Sequence, residues 1–250
     1  MQYFTDFEKV NYIFGNPFDL GSDKVITQLF QNISIYSDVI DRVSENVGFF
    51  TKYSVGDGNR PDQTSFDIYG STIYHWTFFL MNESLRTQGW PLSNRQVESI
   101  VKRDFPHVTY TTRDILTSTH KVGETVVGAQ SGTSGIVLRR NLDIGQVTVL
   151  TENNAVFQTG ESITNVSEAI TTSSVTCVGS SLEYLSARHY VDGDNQRVDI
   201  DPAVGPGAQI TEKTHFDEYV RSNDDLRLIN VIKPEFINDV VSLFKQAVRT

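Results

Sequence analysis

Cysteine is nearly absent from this chain: Cys177 is the single one among 250 residues. One thiol excludes an internal disulfide and any metal site built from several cysteines. Because Val175 and Cys177 stand in an alternating apolar run, we expect Cys177 to be a small buried hydrophobic side chain. The lack of disulfides fits a reducing compartment.

Long apolar runs and basic clusters are lacking as well. No apolar run approaches the ~18 residues of a membrane span, and residues 1–10 lack the basic and apolar stretches of a signal peptide. We therefore expect no membrane contact and no secretion signal. The formal net charge is -10 without any dense run of Lys or Arg, which argues against nucleic acid as a partner.

The common motifs of catalysis are missing too. The sequence has no G-x-x-x-x-G-K-[ST], no H-E-x-x-H and no G-x-S-x-G, and its five histidines show no metal-ligand spacing. Asp192, Asp194, Asp199 and Asp201 resemble a cation-binding cluster, but Arg197 stands where an EF-hand loop needs glycine. We interpret them as a polar hairpin turn. These absences predict a protein that is not an enzyme and has no catalytic residue, metal or cofactor.

Composition and turn residues divide the chain into four predicted segments. Near Thr117 the sequence becomes rich in Thr, Ser, Val and Gly, and it returns to mixed character after about residue 181. The predicted fold class is α+β. The segments are an N-terminal arm and helix (1–48), a small αβ core (49–118), an inserted small β domain (119–181), and a hairpin, loop and C-terminal helix (182–250).

Local patterns predict the elements of the first two segments. The spacing of Val25, Leu29 and Ile33 indicates a helix near the N-terminus. In the core, Pro61 suits the first position of a helix and Gly70 suits the residue that ends it. An aromatic-rich helix over 73–81 and a strand over 108–110 follow.

The third and fourth segments differ in character. Many short strands separated by glycine turns predict a small barrel or sandwich over 119–181, with a hint of an internal repeat between 122–126 and 159–163. A hairpin is expected over 189–200. Pro234 begins a last helix with one apolar stripe, formed by Phe236, Ile237, Val240, Val241, Phe244, Ala247 and Val248.

Residues 53–93 resemble the LysM module, in which a strand is followed by two helices. The first helix ends on Ile68-Tyr69-Gly70 and the second closes on an asparagine. After that asparagine the pattern departs from glycan-binding LysM modules, because their short proline-containing strand should follow, whereas here Glu83–Gly89 and Trp90–Ser93 come first and a third helix begins after them. The resemblance implies a LysM-like core defined by Tyr53, Tyr69, Gly70, Trp76 and Asn82.

A wider set of motifs resembles baseplate wedge protein 53 of T4-like phages. The likeness covers residues 1–114 and about 189–250, so that 120–180 is an insertion. It includes the predicted helix near 25–30 and the end of the chain over 230–241. The motifs are Arg60-Pro61-Asp62, Ile68-Tyr69-Gly70-Ser71, Tyr74-His75-Trp76, Leu80-Met81-Asn82, Gly89-Trp90-Pro91-Leu92-Ser93 and Phe216-Asp217-Glu218-Tyr219.

This resemblance implies a structural role and not a reaction. Such a protein is a wedge subunit of a contractile tail baseplate, present in several copies around the tail axis. Its partners are other wedge subunits and the hub or tube proteins, and its place is the virion after synthesis in the host cytoplasm. We expect contacts with partners, which favour aromatic anchors, at Arg60, Trp90, Pro91, Leu92, Tyr3, Phe4, Phe236 and Phe244.

Two other functions are compatible with the sequence. A LysM-like core could bind cell-wall glycan directly. A cell-wall hydrolase would need a catalytic domain, and the spare segment 119–181 offers four glutamates but little histidine or aspartate. Its Thr/Ser/Val character favours a spacer or an adhesive domain.

Overall fold

The computed structural model describes residues 9–14, 26–31, 47–166 and 173–249. The chain forms two compact units. The first unit consists of Met1–Ser93 with Asp224–Thr250, and the second consists of Asn94–Asn223. Because both ends of the chain share the first unit, the second unit is inserted between Ser93 and Asp224. The four predicted segments divide the chain at other positions and stay predictions.

The described residues form strands and α-helices in mixed order, which confirms the α+β class. The strands are β1 (Lys9–Phe14), β2 (Ile26–Gln31), β3 (Phe50–Ser54), β4 (Val108–Thr111), β5 (Thr125–Gly128), β6 (Ser134–Asn141), β7 (Gln146–Thr151), β8 (Ser162–Val166), β9 (Ser174–Thr176), β10 (Gly179–Leu182), β11 (Ala187–Val191), β12 (Arg197–Val198), β13 (Thr211–Thr214) and β14 (Leu228–Ile232). The helices are α1 (Pro61–Tyr69), α2 (Trp76–Met81), α3 (Glu83–Gln88), α4 (Asn94–Asp104), α5 (His215–Asp225) and α6 (Ile237–Arg249).

The N-terminal helix predicted around 25–30 is wrong. That stretch is the strand β2, which pairs antiparallel with β1 so that Lys9 lies opposite Gln31 and Phe14 opposite Ile26. The apolar residues spaced three and four apart suggested a helix. Pairing with a strand earlier in the chain, which local spacing does not report, decides the conformation instead.

The first unit contains a sheet whose two strands come from distant parts of the chain. β3 pairs antiparallel with β14, with Tyr53 opposite Ile229 and Thr51 opposite Val231. Helices α1, α2 and α3 follow β3 in the sequence, and α2 packs against β14. The sequence patterns do not predict α3.

Helix boundaries in this unit follow from local chemistry. Pro61 lies in the first turn of α1, where its missing N–H is not needed for a helical bond. Gly70 ends α1 at φ 68°, a left-handed conformation that glycine adopts without strain, and its N–H donates to the carbonyl of Phe66. Both boundaries confirm the predictions. Pro234 likewise begins the 3-10 turn that leads into α6.

The core of the first unit draws on both ends of the chain, and each large apolar side chain buried there contributes about 1.5–3 kcal/mol. One cluster surrounds the β3–β14 sheet, and a second is formed by Ile232 with the apolar stripe of α6. The buried members of the first are Val55, Phe78, Leu85, Leu226, Ile229 and Val231. Those of the second are Ile232, Ile237, Val240 and Val241.

A seven-stranded antiparallel sheet forms the body of the second unit. Its strand order is β10-β4-β7-β6-β5-β8-β9. The edge strands β9 and β10 are consecutive in the sequence and are joined by Cys177 and Val178 alone. The sheet must therefore curve strongly, because its opposite edges lie within reach of a two-residue link. It includes β4, which the sequence places in the core segment 49–118.

No strand pairing joins the two edges within the described residues, so the sheet is curved and open. The described strands therefore do not form the closed barrel that was one of the two expectations. Short strands and glycine turns in a sequence do not reveal whether a sheet closes. Cys177 is fully buried, as predicted. The core on the inner face consists of Val108, Tyr110, Leu116, Val126, Val137, Val147, Val149, Phe157, Ile163, Val175 and Cys177.

The two similar sequences 122–126 and 159–163 have the same local structure. In each, the glycine has a positive φ. The N–H of this glycine and the carbonyl of the residue after it both form hydrogen bonds with one residue of a neighbouring segment. The strands that follow them, β5 and β8, pair antiparallel. The bonds are Gly123 N–H to Val137 O (2.8 Å), Val137 N–H to Glu124 O (2.9 Å), Gly160 N–H to Cys177 O (2.7 Å) and Cys177 N–H to Glu161 O (2.9 Å).

A third sheet of the second unit has the order β12-β11-β13. The hairpin between β11 and β12 confirms the prediction over 189–200. Its turn is held by the carboxylate of Asp192, which accepts from the N–H groups of Asp194 and Gln196. Within the described residues, no helix combines the length and apolar character that crossing a membrane requires.

Candidate functional site

Asn82 lies against the edge of β14 and takes the place of a neighbouring strand. Its amide nitrogen donates to the carbonyl of Asn230 (2.9 Å), and its amide oxygen accepts from the N–H of the same residue (2.8 Å). In an antiparallel pair, alternate residues point their backbone groups to opposite edges. The carbonyl of Arg227 accepts from the N–H of Val55, and the N–H of Lys233 donates to the carbonyl of Phe49, so both residues face β3. Asn230 lies three residues from each of them, and its backbone groups therefore point away from β3. One side chain thus satisfies both polar groups of this edge residue.

Tyr69 occupies the same edge two residues further along. Its hydroxyl donates to the carbonyl of Ile232 (2.9 Å). Burial raises the pKa of Tyr69 to about 12, so the hydroxyl keeps its proton and stays a donor at neutral pH. The ring stacks on Phe78 with centroids 6.1 Å apart and meets Tyr74 edge-on at 5.7 Å. Tyr69 and Asn82 therefore cover the outer edge of β14.

The predicted interface segment 90–92 is held within the first unit. The indole N–H of Trp90 donates to the carbonyl of Asn59 (2.7 Å), and its ring lies 5.7 Å from Phe78. Pro91 is buried and Leu92 half-buried. The Arg227 guanidinium donates to the carbonyl of Leu92 (3.2 Å). The segment thus contributes to the core, and its contact with partners stays a prediction.

The other predicted interface residues have different surroundings. Phe244 is 2% exposed and its ring lies 4.8 Å from that of Trp76, which makes both part of the packing of α6. Phe236 is half-buried against Phe49. Arg60 is exposed and pairs with Asp62 at 3.3 Å. Tyr3 and Phe4 lie outside the described residues.

The core-defining residues of the LysM resemblance all lie in the first unit. Tyr53 and Tyr69 pack on the cluster around the β3–β14 sheet, and Trp76 packs on the cluster beneath α6. Gly70 ends α1, and Asn82 is buried at the sheet edge. The sequence suggested Asn82 only as a helix-closing residue. Its partner Asn230 lies 148 residues away, which no local pattern reports.

The outer edge of β3 is uncovered in the part of the chain that the structure describes. β3 pairs only with β14 there, through Thr51 and Tyr53, so the backbone groups of Phe50, Lys52 and Ser54 point away from the sheet. An uncovered strand edge can pair with a strand from another chain. Large apolar side chains are exposed elsewhere on this unit, on Phe66, Ile73, Leu228 and Leu243.

In the second unit, a buried carboxylate organises the turn between β5 and β6. Glu161 is fully buried. It accepts bonds from the backbone N–H groups of Gln130 (2.8 Å), Ser131 (2.9 Å) and Gln158 (2.6 Å), and from the Ser131 hydroxyl (2.8 Å). Burial alone would raise the pKa of Glu161, but these bonds stabilise the charged form and lower it. Its role is to hold loops.

A second buried polar pair joins Tyr110 to His120. The Tyr110 hydroxyl and the His120 Nδ1 form a hydrogen bond in the core of the curved sheet. Both side chains are fully buried. Burial lowers the pKa of His120, so the ring is neutral at pH 7. Neither group can reach a substrate from this position, and we interpret the pair as structural.

The comparisons with known proteins add no identification. No family model matches the chain, and no curated protein matches it. Among the described residues, no group of three or more His, Cys, Asp or Glu side chains could hold a metal ion. The family resemblance of the motifs therefore remains a prediction.

Proposed function

We propose that this protein is a structural wedge subunit of a contractile phage-tail baseplate. It clamps wedges to one another and to the central hub or tube, in several copies around the tail axis. The proposal rests on the likeness of its motifs to baseplate wedge protein 53 of T4-like phages. Those motifs lie in two regions of the sequence, around 53–93 and around 216–241.

One observation carries the proposal. The two regions that bear the resemblance are hydrogen-bonded to each other through Asn82 with Asn230 and Tyr69 with Ile232. These pairs are 148 and 163 residues apart in sequence. Chance similarity of short motifs does not predict that they interlock in space, whereas membership of one inherited module does.

The order of elements supports a LysM-like core within this proposal. β3 is followed by α1 and α2, and β14 completes an antiparallel pair with β3. The last strand does not follow Asn82 directly but comes from the C-terminal part of the chain. The whole of 94–223 is inserted before it.

Two features of the first unit suit a clamp. The outer edge of β3 offers backbone donors and acceptors to an extended segment of a neighbour, and such strand addition fixes register as well as affinity. Exposed apolar side chains such as Phe66 and Leu243 add area that a partner can cover.

The direct test is the composition of the assembled particle. Mass spectrometry of purified virions should find the protein in a fixed number of copies per tail, and a cryo-EM map of the baseplate should contain the first unit beside the tube. Detection in infected-cell lysate but never in purified particles would contradict the proposal.

A sedimentation assay separates the proposal from direct glycan binding. The purified chain should stay in the supernatant when it is mixed with insoluble peptidoglycan and centrifuged. Saturable co-sedimentation, reversed by soluble wall fragments, would instead support the LysM-type wall-binding alternative.

A further inference from the structure

A cavity in the second unit is lined by several arginines. Its volume is about 330 Å³, at the lower end of the range for ligand pockets in proteins. The lining comes from β6, β7, β11, the 3-10 turn before β11 and the first residue of α5. The charged and aromatic lining residues are Arg139, Arg140, Arg188, Glu183 and His215.

A bulge in β6 lies directly before the two consecutive arginines of the lining. On a regular strand, neighbouring side chains point to opposite faces. The pairing of β6 with β7 shifts by one residue between Val137 and Arg139, which changes the direction of the strand at this point. Arg140 is then fixed by its guanidinium, which donates to the carbonyls of Leu116 (2.6 Å) and Thr119 (2.9 Å).

Positive charge exceeds negative charge in the lining. Glu183, whose side chain is 2% exposed, pairs with Arg139 and accepts the His107 N–H at 3.2 Å. Arg188 lies 3.7 Å from the carboxylate of Glu218. That carboxylate is shared with Arg221 at 3.0 Å. The lining thus contains three arginines and one carboxylate, and Glu218 outside it pairs with Arg188, in a chain whose net charge is -10.

His215 is the histidine of the cavity lining. Its ring stacks on Phe105 with centroids 4.1 Å apart. Burial, together with the charges of Arg188 and Arg139, lowers the pKa of His215 to about 4. The imidazole is therefore neutral at pH 7, and an anion placed in the cavity would raise its pKa.

We propose that this cavity binds an oxyanion group, a carboxylate or a phosphate, with Arg188 and Arg139 as its principal donors. Both side chains are more than half exposed, so their planar guanidinium groups can present paired N–H donors to such a group. Thr148 also lines the cavity, with its hydroxyl oxygen 3.2 Å from that of Thr109. The inference does not depend on the role proposed above.

Titration of the full chain with two probes tests the inference. Inorganic phosphate and glutarate are added separately at constant ionic strength, with sodium chloride as the reference, and binding is followed by NMR of the arginine and histidine side chains. We expect saturable shifts at Arg188 and His215 with at least one probe, and a rise in the pKa of His215 at saturation. The probe that saturates identifies the oxyanion class.

Variants make the test specific. Arg188→Gln should weaken binding at least about tenfold, because a charge-assisted bidentate contact is lost. The affinity of Arg188→Lys should lie between those of wild type and Arg188→Gln, since lysine keeps the charge but lacks the planar guanidinium group. Arg95→Gln removes an exposed charge outside the lining and should leave binding unchanged. Shifts that do not saturate with either probe, or equal binding by Arg188→Gln and wild type, would overturn the inference.

Discussion

Single polar side chains in this protein replace hydrogen bonds that secondary structure usually supplies. Asn82 covers both backbone groups of Asn230, and Glu161 gathers three N–H groups and a hydroxyl. Both are buried. Removal of such a residue leaves its buried partner groups without a hydrogen bond to protein or to water. The free-energy cost is larger than the mean contribution of one hydrogen bond.

Replacement of Asn82 by alanine should destabilise the first unit. Two bonds to Asn230 are lost and the edge of β14 is uncovered, so we expect a loss of about 1–3 kcal/mol in the free energy of unfolding, measured with urea. Asn82→Asp keeps an acceptor but places a buried carboxylate oxygen against the carbonyls of Phe78 and Asn230, so it should be at least as unstable as Asn82→Ala. Asn238→Ala removes an exposed bond to Tyr74 and should change stability by less than about 0.5 kcal/mol.

Glu161 should make the stability of the second unit depend on pH. Its pKa is lower in the folded chain than in the unfolded chain, so its stabilising effect is complete above the unfolded value of about 4.3 and is lost as the pH falls through the folded value. Glu161→Gln should be less stable than wild type at pH 7, by about 2–4 kcal/mol, and the difference should shrink toward pH 3.

The matched control is Glu152→Gln, at an exposed position. Its unfolding curves should follow those of wild type from pH 7 to pH 3. A constant difference between wild type and Glu161→Gln over this range would show that the charge of Glu161 does not stabilise the fold.

At the scale of elements, glycine is required at one position by its backbone conformation and at another by the lack of space for a side chain. Gly70 has a left-handed φ, but a Cβ added there would meet no atom within 4 Å, so Gly70→Ala should cost only about 1 kcal/mol. A Cβ on Gly135 would lie 2.4 Å from the carbonyl oxygen of Leu150 on β7. Gly135→Ala should therefore cost more than Gly70→Ala. Melting temperatures of the two variants, measured side by side, check the order.

The uncovered edge of β3 allows a test of assembly that spares the fold. The N–H of Lys52 points away from β14, so Lys52→Pro removes no bond within the sheet, and proline is tolerated on the outer side of an edge strand. We expect near-wild-type melting but reduced incorporation into particles. Lys52→Ala is the control for the lost charge. Normal incorporation of Lys52→Pro would show that strand addition at this edge is not used.

Elements with strong local signals were predictable, and pairing between distant residues was not. Pro61, Gly70 and Pro234 mark helix boundaries by their own backbone preferences. Local spacing wrongly predicts a helix at β2, because the conformation of that strand depends on β1. The bonds of Asn82 with Asn230 depend on the return of the chain after 94–223, so the chemistry of that edge could not be inferred from sequence.

At the scale of the whole molecule, the first unit should fold without the second. Arg227 donates to the carbonyl of Leu92 and pairs with Asp224 at 3.1 Å, so the ends left by removal of 94–223 lie close together. A chain with a short Gly-Ser linker in place of 94–223 should unfold cooperatively. The tryptophan fluorescence of this chain, from Trp76 and Trp90, should match that of the full chain.

The same truncated chain separates the two proposals. It retains the motifs between Arg60 and Ser93 and the 230–241 stretch, but not Phe216–Tyr219, and should enter particles, while it lacks Arg139 and Arg188 and should not bind phosphate or glutarate. Failure of a folded truncated chain to enter particles would assign a required assembly contact to 94–223.

The amide of Asn82 also has a consequence for solubility. At the edge of β14 it occupies the two backbone groups through which another polypeptide would begin to add a strand. Among the described residues, the outer edge of β3 is thus open, while Asn82 and Tyr69 bond the backbone of Asn230 and Ile232 at the edge of β14. A second copy can therefore pair at β3 but not at these positions of β14, which disfavours growth into an open-ended fibril.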